Sequence, residues 1–187
     1  RAVRAGQRML QRLPQMNAQW SDRLGTPFSL GIGVNTGPVR VGNIGSKQKL
    51  KYGPLGNTVN LASRIQGLNK HFGTRMLISD STWKELQPAP ASRRLGWFRV
   101  VGIEQPLQLY EISELSAEEE WQQLQSAYQT AFDHFEQQEF TTVLELLSVA
   151  LRAAVSDRPS LLLLSRAATA LSSGPAADHP VWTITEK

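Results

Sequence analysis

The sequence predicts an α+β chain, with a strand-rich first part followed by an all-helical second part. Three observations predict it. Short apolar runs at 28–35, 39–44, 76–79, 97–101 and 106–112 are separated by turns rich in Gly and Pro. Beyond Ser113 the apolar residues fall at helical spacing instead. Charge changes at the same place: residues 1–112 hold 16 Lys+Arg against 5 Asp+Glu, and residues 113–187 hold 4 against 11. The net charge of +4 therefore conceals a basic half and an acidic half. A basic half calls for an anionic partner, which could be a nucleotide phosphate, a nucleic acid or the acidic half itself. A solvated basic surface with no ligand fits the charge equally well.

Each element follows from local chemistry. Val3, Met9, Leu10, Leu13 and Met16 lie near helical spacing, with Arg1, Arg4, Arg8 and Arg12 on the wet side, which predicts an opening helix. Pro14 and Gly25-Thr26-Pro27 mark its exit into a loop. Phe28–Asn35 and Val39–Ile44 read as strands around a Thr36-Gly37-Pro38 turn, the second with Val39, Val41 and Asn43 on one face, and residues 46–53 as a polar, lysine-rich connection. A helix is expected from about Thr58 to Phe72, capped by Asn57 and stopped by Gly73. Met76–Ser79 reads as a strand, Ser81–Leu86 as a short helix, and Trp97–Val101 with Pro106–Ile112 as closing strands around Gly102. Ser116 and Glu119 form a capping box that opens a helix to about Gln137; helices at 141–154 and 160–171 follow, then a tail with no periodic pattern.

Composition excludes several classes. With 41% hydrophobic and 19% charged residues the chain is not wholly disordered. Its longest apolar run, Leu161–Leu164, is far short of the ~20 residues of a membrane span. There is no cysteine, so disulfide frameworks, thiolate metal sites and cysteine nucleophiles are ruled out, and His71, His134 and His179 lack metal-ligand spacing.

The most specific segment is GIGVNTGPVRVGNIGSKQKLKYGPLGNTVNLASRI, residues 31–65. Its glycines do not make a Walker loop, because Gly45 is followed by Ser46-Lys47. They do not make a dinucleotide fingerprint either, because Gly31-x-Gly33 lies inside a strand with Thr36 where a third glycine belongs. Asn60 and Arg64 are four residues apart and share one helical face. An amide with directional hydrogen bonds and a permanently charged fork one turn later suit a ribose and a phosphate; the spacing alone fits an ordinary surface pair as well.

The blocks GIGVNTGPVRVGNIGS and YGPLGNTVNLASRI, with the later RVVGIEQPLQLYEI, closely resemble the catalytic domain of class III adenylate/guanylate cyclases over residues 1–112. The first block corresponds to the family's paired strands after its central helix, the second to its signature turn and helix. The resemblance implies a ferredoxin-like nucleotide cyclase fold, incomplete at the N-terminus, with sheet helices on one face and an α-helical C-terminal extension at 113–187. It implies conversion of ATP or GTP to a 3′,5′-cyclic nucleotide, with Asn60 orienting the ribose and Arg64 stabilising the transition state. Gly53, Asn57 and Asn60 fall at the nucleotide. Gly53 stands where the family usually carries a residue that reads the purine edge, and it fits a tight turn as well as backbone contact with the base. The family's two metal ions, Mg2+ or Mn2+, are held by aspartates that lie upstream of its central helix, and none of Asp22, Asp80, Glu85, Glu104 or Glu111 matches those motifs. Arg1 thus reads as a point inside the central helix of a longer cyclase, which pairs with a second protomer to complete each site and works in the cytoplasm or on the cytoplasmic side of a membrane. The isolated chain is expected to be inactive. A non-catalytic dimerisation or nucleotide-sensing module is the alternative. Nucleic acid is not expected as a partner, since the arginines of the first helix lack interleaved aromatic platforms. Ala131, Phe140, Val143, Leu147 and Ala150 resemble the packing of one tetratricopeptide-like unit. That unit fits either a docking surface for a protein partner or a hairpin packed on the first half.

Overall fold

The structure, a computed structural model, describes residues 1–46, 48–100, 105–113 and 119–184. In chain order its elements are α1 (Ala2–Leu24), β1 (Ile32–Val34), β2 (Arg40–Ser46), β3 (Lys49–Leu55), α2 (Asn57–Phe72), β4 (Met76–Ser79) and α3 (Asp80–Lys84). They continue with β5 (Ser92–Val100), β6 (Leu107–Ile112), α4 (Glu119–Glu136), α5 (Phe140–Ala153), α6 (Arg158–Ser173) and β7 (Trp182–Ile184). The fold class is α+β with a helical C-terminal part, as the sequence predicts.

Five strands form one mixed sheet in the order β1-β4-β6-β5-β7. β1 runs parallel to β4 and β7 parallel to β5, while β6 is antiparallel to both of its neighbours. The period of two divides each strand between two cores. Met76, Ile78 and Ile112 face α1, where Val3 and Leu10 are buried. Leu77, Leu95, Phe98, Leu107 and Leu109 face the other way, against Ile65, Leu68 and Phe72 of α2 and the apolar residues of α4–α6.

Several expectations are corrected. Helices cover both sheet faces, not one, because the alternating strand residues are apolar on both sides. The two strands expected to pair around Gly37 do not: β1 joins the main sheet, and β2 instead forms a separate hairpin with β3, with Gly42 opposite Gly53. The lysine-rich connection is therefore a strand, and Val39 and Val41 face solvent. Pro14 does not mark the exit of α1, which runs through it to Leu24, and Met9 and Met16 are exposed. The tail contributes β7 to the sheet, and Trp182 packs on Phe98 and Phe72 beside Arg166. Gly102 and the Ser116 capping box lie outside the described residues.

The acidic half supplies the counter-charges for one strand of the basic half. Arg93, only 2% exposed, is gripped by Glu111 of β6 and by Asp157, the N-cap of α6, whose two oxygens accept from Nη1 at 2.8 Å and Nη2 at 2.9 Å. Arg94 pairs with Asp133 and Glu136 of α4, and Arg99 with Asp178 of the tail at 2.8 Å. All three arginines belong to β5. Beneath this polar seam Tyr128, Phe132 and Phe135 of α4 are buried against the sheet, so the extension and the sheet share a continuous apolar core.

Candidate nucleotide-binding site

The site is built on α2. Its buried stripe, Ile65, Leu68, Asn69 and Phe72, holds the helix against the sheet, and Gly73 in the left-handed conformation ends it. At its far end Asn69 donates to the Ile32 carbonyl at 3.0 Å and accepts from the Thr74 hydroxyl at 3.0 Å. Midway, α2 lies directly on β1. A Cβ on Gly33 would stand 2.3 Å from the Gln66 backbone nitrogen and 2.5 Å from the Ala62 carbonyl oxygen, so only glycine permits this approach.

A neighbouring face of the helix carries the expected residues. Asn57 and Asn60 are exposed near the start of α2, and Arg64 follows one turn later, half-buried. Arg64 Nη1 is shielded from solvent and has no hydrogen-bond partner among the described residues. A buried guanidinium nitrogen without an acceptor is costly, and native structures rarely leave one so. The seam on β5 shows the contrast, since each arginine there meets at least one carboxylate.

Asn57 does not cap the helix. Gly56 is the N-cap, Asn57 is the first helical residue, and Val59 and Asn60 donate their backbone N–H groups to the Gly56 carbonyl at 3.1 and 3.2 Å. The Asn57 side chain is thereby freed from the capping role. Gly53 is a strand residue of β3, which overturns the tight-turn reading. A Cβ there would meet only Ile44 Cδ1 at 3.7 Å, an ordinary contact, so a side chain would fit. Lys49 and Lys51 are exposed on the same strand, and Lys47 lies outside the described residues.

The carboxylates of the first half do not fit the metal ions that the resemblance implies. Asp80 holds Lys84 at 2.8 Å, Glu111 holds Arg93, and Glu104 lies outside the described residues. Among the described residues no group of three or more His, Asp or Glu is placed to share a metal ion. No described helix is long and apolar enough to cross a membrane.

Residues 2–114 match the adenylate and guanylate cyclase catalytic domain family, and the chain belongs to that family. It is 36% identical over 85 residues to adenylate cyclase 1 of Rhizobium meliloti, covering 46% of this chain and 13% of that protein. It is 34% identical over 118 residues to an adenylate cyclase of Anabaena cylindrica, covering 59% of this chain and 24% of the relative. The chain thus spans less than a quarter of the length of either relative. A solved bacterial light-regulated adenylyl cyclase shares the fold, with a TM-score of 0.51 at 24% identity over 62% of this chain and 34% of that one.

Proposed function

We propose that this chain supplies the Asn/Arg wall of a nucleotide cyclase active site, with ATP or GTP as substrate. The observation that carries the reading is the unpartnered, shielded nitrogen of Arg64, one helical turn from Asn60 within a cyclase-family domain. In the reaction the ribose 3′-oxygen gives its proton to water and bonds to the α-phosphorus, as the bond from that phosphorus to the α,β-bridging oxygen breaks and pyrophosphate leaves with that oxygen. Charge shifts onto the phosphoryl oxygens, and a fixed cation beside them lowers the barrier because it needs no reorganisation. Arg64 is that cation. Asn60 orients the ribose, and Asn57 and Gly53 lie towards the nucleotide. The names of the two curated relatives favour ATP.

Among the described residues no group of carboxylates is placed to hold Mg2+ or Mn2+; in this reading the metal ligands come from outside the chain, which by itself is expected not to turn over. A second cyclase protomer completes the site. The β2–β3 hairpin suits that contact: Val41 (54% exposed), Leu50 (60%) and Tyr52 (77%) project apolar surface from a ribbon outside the main sheet. In this reading the helix pair α4–α5, which packs on the sheet through α4, is the tetratricopeptide-like unit of the extension and offers its outer surface to a protein partner. The second reading is a non-catalytic nucleotide-sensing or dimerisation module. An assay of the intact protein with ATP and GTP, each with magnesium or manganese, separates the two. Cyclic nucleotide with equimolar pyrophosphate supports the cyclase; nucleotide binding without product supports the sensor.

A further inference from the structure

The first turn of α2 carries the nucleotide-facing residues, yet it lacks the usual means of fixing a helix start. Its N-cap is Gly56, with φ 130°, there is no side-chain cap hydrogen bond, and no acidic residue stands in the first turn. Something else must hold it. Asn35, at the exit of β1, donates from Nδ2 to the Thr58 carbonyl at 3.1 Å. The Thr58 hydroxyl in turn donates to the Pro38 carbonyl at 2.7 Å.

The Asn35 amide is itself held in one orientation. Its Oδ1 accepts from the Ser79 hydroxyl at 2.7 Å and the Ser81 hydroxyl at 3.1 Å. Reversing the amide would turn its oxygen onto the Thr58 carbonyl, acceptor against acceptor, so the network fixes which end faces α2. Ser79 is the N-cap of α3 and also meets the Thr82 hydroxyl at 3.2 Å, which meets Thr36 at 3.0 Å. One amide therefore ties the end of β1, the start of α3 and the start of α2 together.

We propose that Asn35 is a positioning residue that sets the first turn of α2, and through it the placement of Asn60 and Arg64 on the nucleotide. The proposal rests on the cyclase reading only for its effect on turnover. Asn35 touches neither reacting atom; it acts through Thr58, two residues before Asn60.

The test is Asn35→Asp, which keeps shape and the acceptor for Ser79 and Ser81 but puts a carboxylate oxygen against the Thr58 carbonyl. Ser81→Ala removes one hydroxyl from the far side of the amide and leaves the bond to Thr58. In the intact protein kcat should fall on the order of 10- to 100-fold for Asn35→Asp while nucleotide KM changes less than about threefold, with a smaller loss of kcat for Ser81→Ala. In the 187-residue chain, amide hydrogen exchange should accelerate over residues 57–64 and stay unchanged over 65–72. Unchanged exchange at 57–64, uniform acceleration along α2, or unaltered kcat in an active enzyme would each overturn the proposal. Should the wild-type protein make no cyclic nucleotide, the cyclase reading fails, and the exchange experiment still decides whether Asn35 sets the turn.

Discussion

Arg64 and Arg93 show how one residue type takes two roles in a single chain. Arg93 is buried with two carboxylates around it: burial disfavours its charge, but Glu111 and Asp157 more than compensate and raise its pKa. It is a structural cation, saturated by its own fold. Arg64 has no such partner for its shielded Nη1 among the described residues. Arg64→Lys should therefore recover little of the function of Arg64, because an ammonium keeps the charge but loses the planar fork. We expect kcat to remain at least about tenfold below wild type with folding intact, measured by initial rates and thermal melting. That Asn60 and Arg64 share one helix was legible in the sequence, because their four-residue spacing is a local pattern. The Asn35 contact was not, because it joins residues 23 and 44 positions apart in the sequence and no local pattern records it.

At the scale of elements, regular patterns were read and irregular ones were not. Met76–Ser79 is a strand with all four residues buried, and its apolar run and turn boundaries locate it without tertiary information. The strand at Lys49–Leu55 has four exposed residues at its start, two of them lysines, and contains Gly53 and Pro54, both poor strand formers. It exists because β2 offers seven paired positions across a ribbon, a fact of pairing rather than of propensity. The strand at Trp182–Ile184 is three residues long and owes its state to the edge of β5 and to burial of Trp182 and Ile184. The exposed ribbon gives a prediction of its own. Tyr52→Asp with Val41→Asp should weaken self-association of the intact protein at least about tenfold, by sedimentation, while its melting temperature hardly moves, since neither side chain packs in the core. Unchanged association would remove the hairpin from the protomer contact.

For the whole molecule, part of the charge asymmetry read at the outset is spent internally, on one strand. Arg93, Arg94 and Arg99 of β5 meet acids from α6, α4 and the tail, so the acidic half is fastened to the sheet that carries α2. Composition showed that the halves differ; only the fold shows which arginines meet which carboxylates. Asp157 is the most buried of these acids. Burial alone would raise its pKa, but the hydrogen bond and charge of Arg93, with Ser160, bring it below the ordinary value. A depressed carboxyl stabilises the fold fully above its unfolded pKa of about 4 and loses that contribution as pH falls through the lower folded value. Asp157→Asn should thus cost about 3 kcal/mol at pH 7 in denaturant unfolding, and the gap from wild type should narrow below about pH 4. A gap that stayed constant into acid would show that the charge on Asp157 is not what holds the extension.

The central claim is that Arg64 serves the transition state of cyclisation. Its most direct measurement is turnover of ATP and GTP by the intact protein and by its Arg64→Ala variant, with nucleotide affinity measured in parallel. Loss of turnover by at least about 100-fold with affinity little changed is the predicted result. Equal turnover by the Arg64→Ala protein would contradict it.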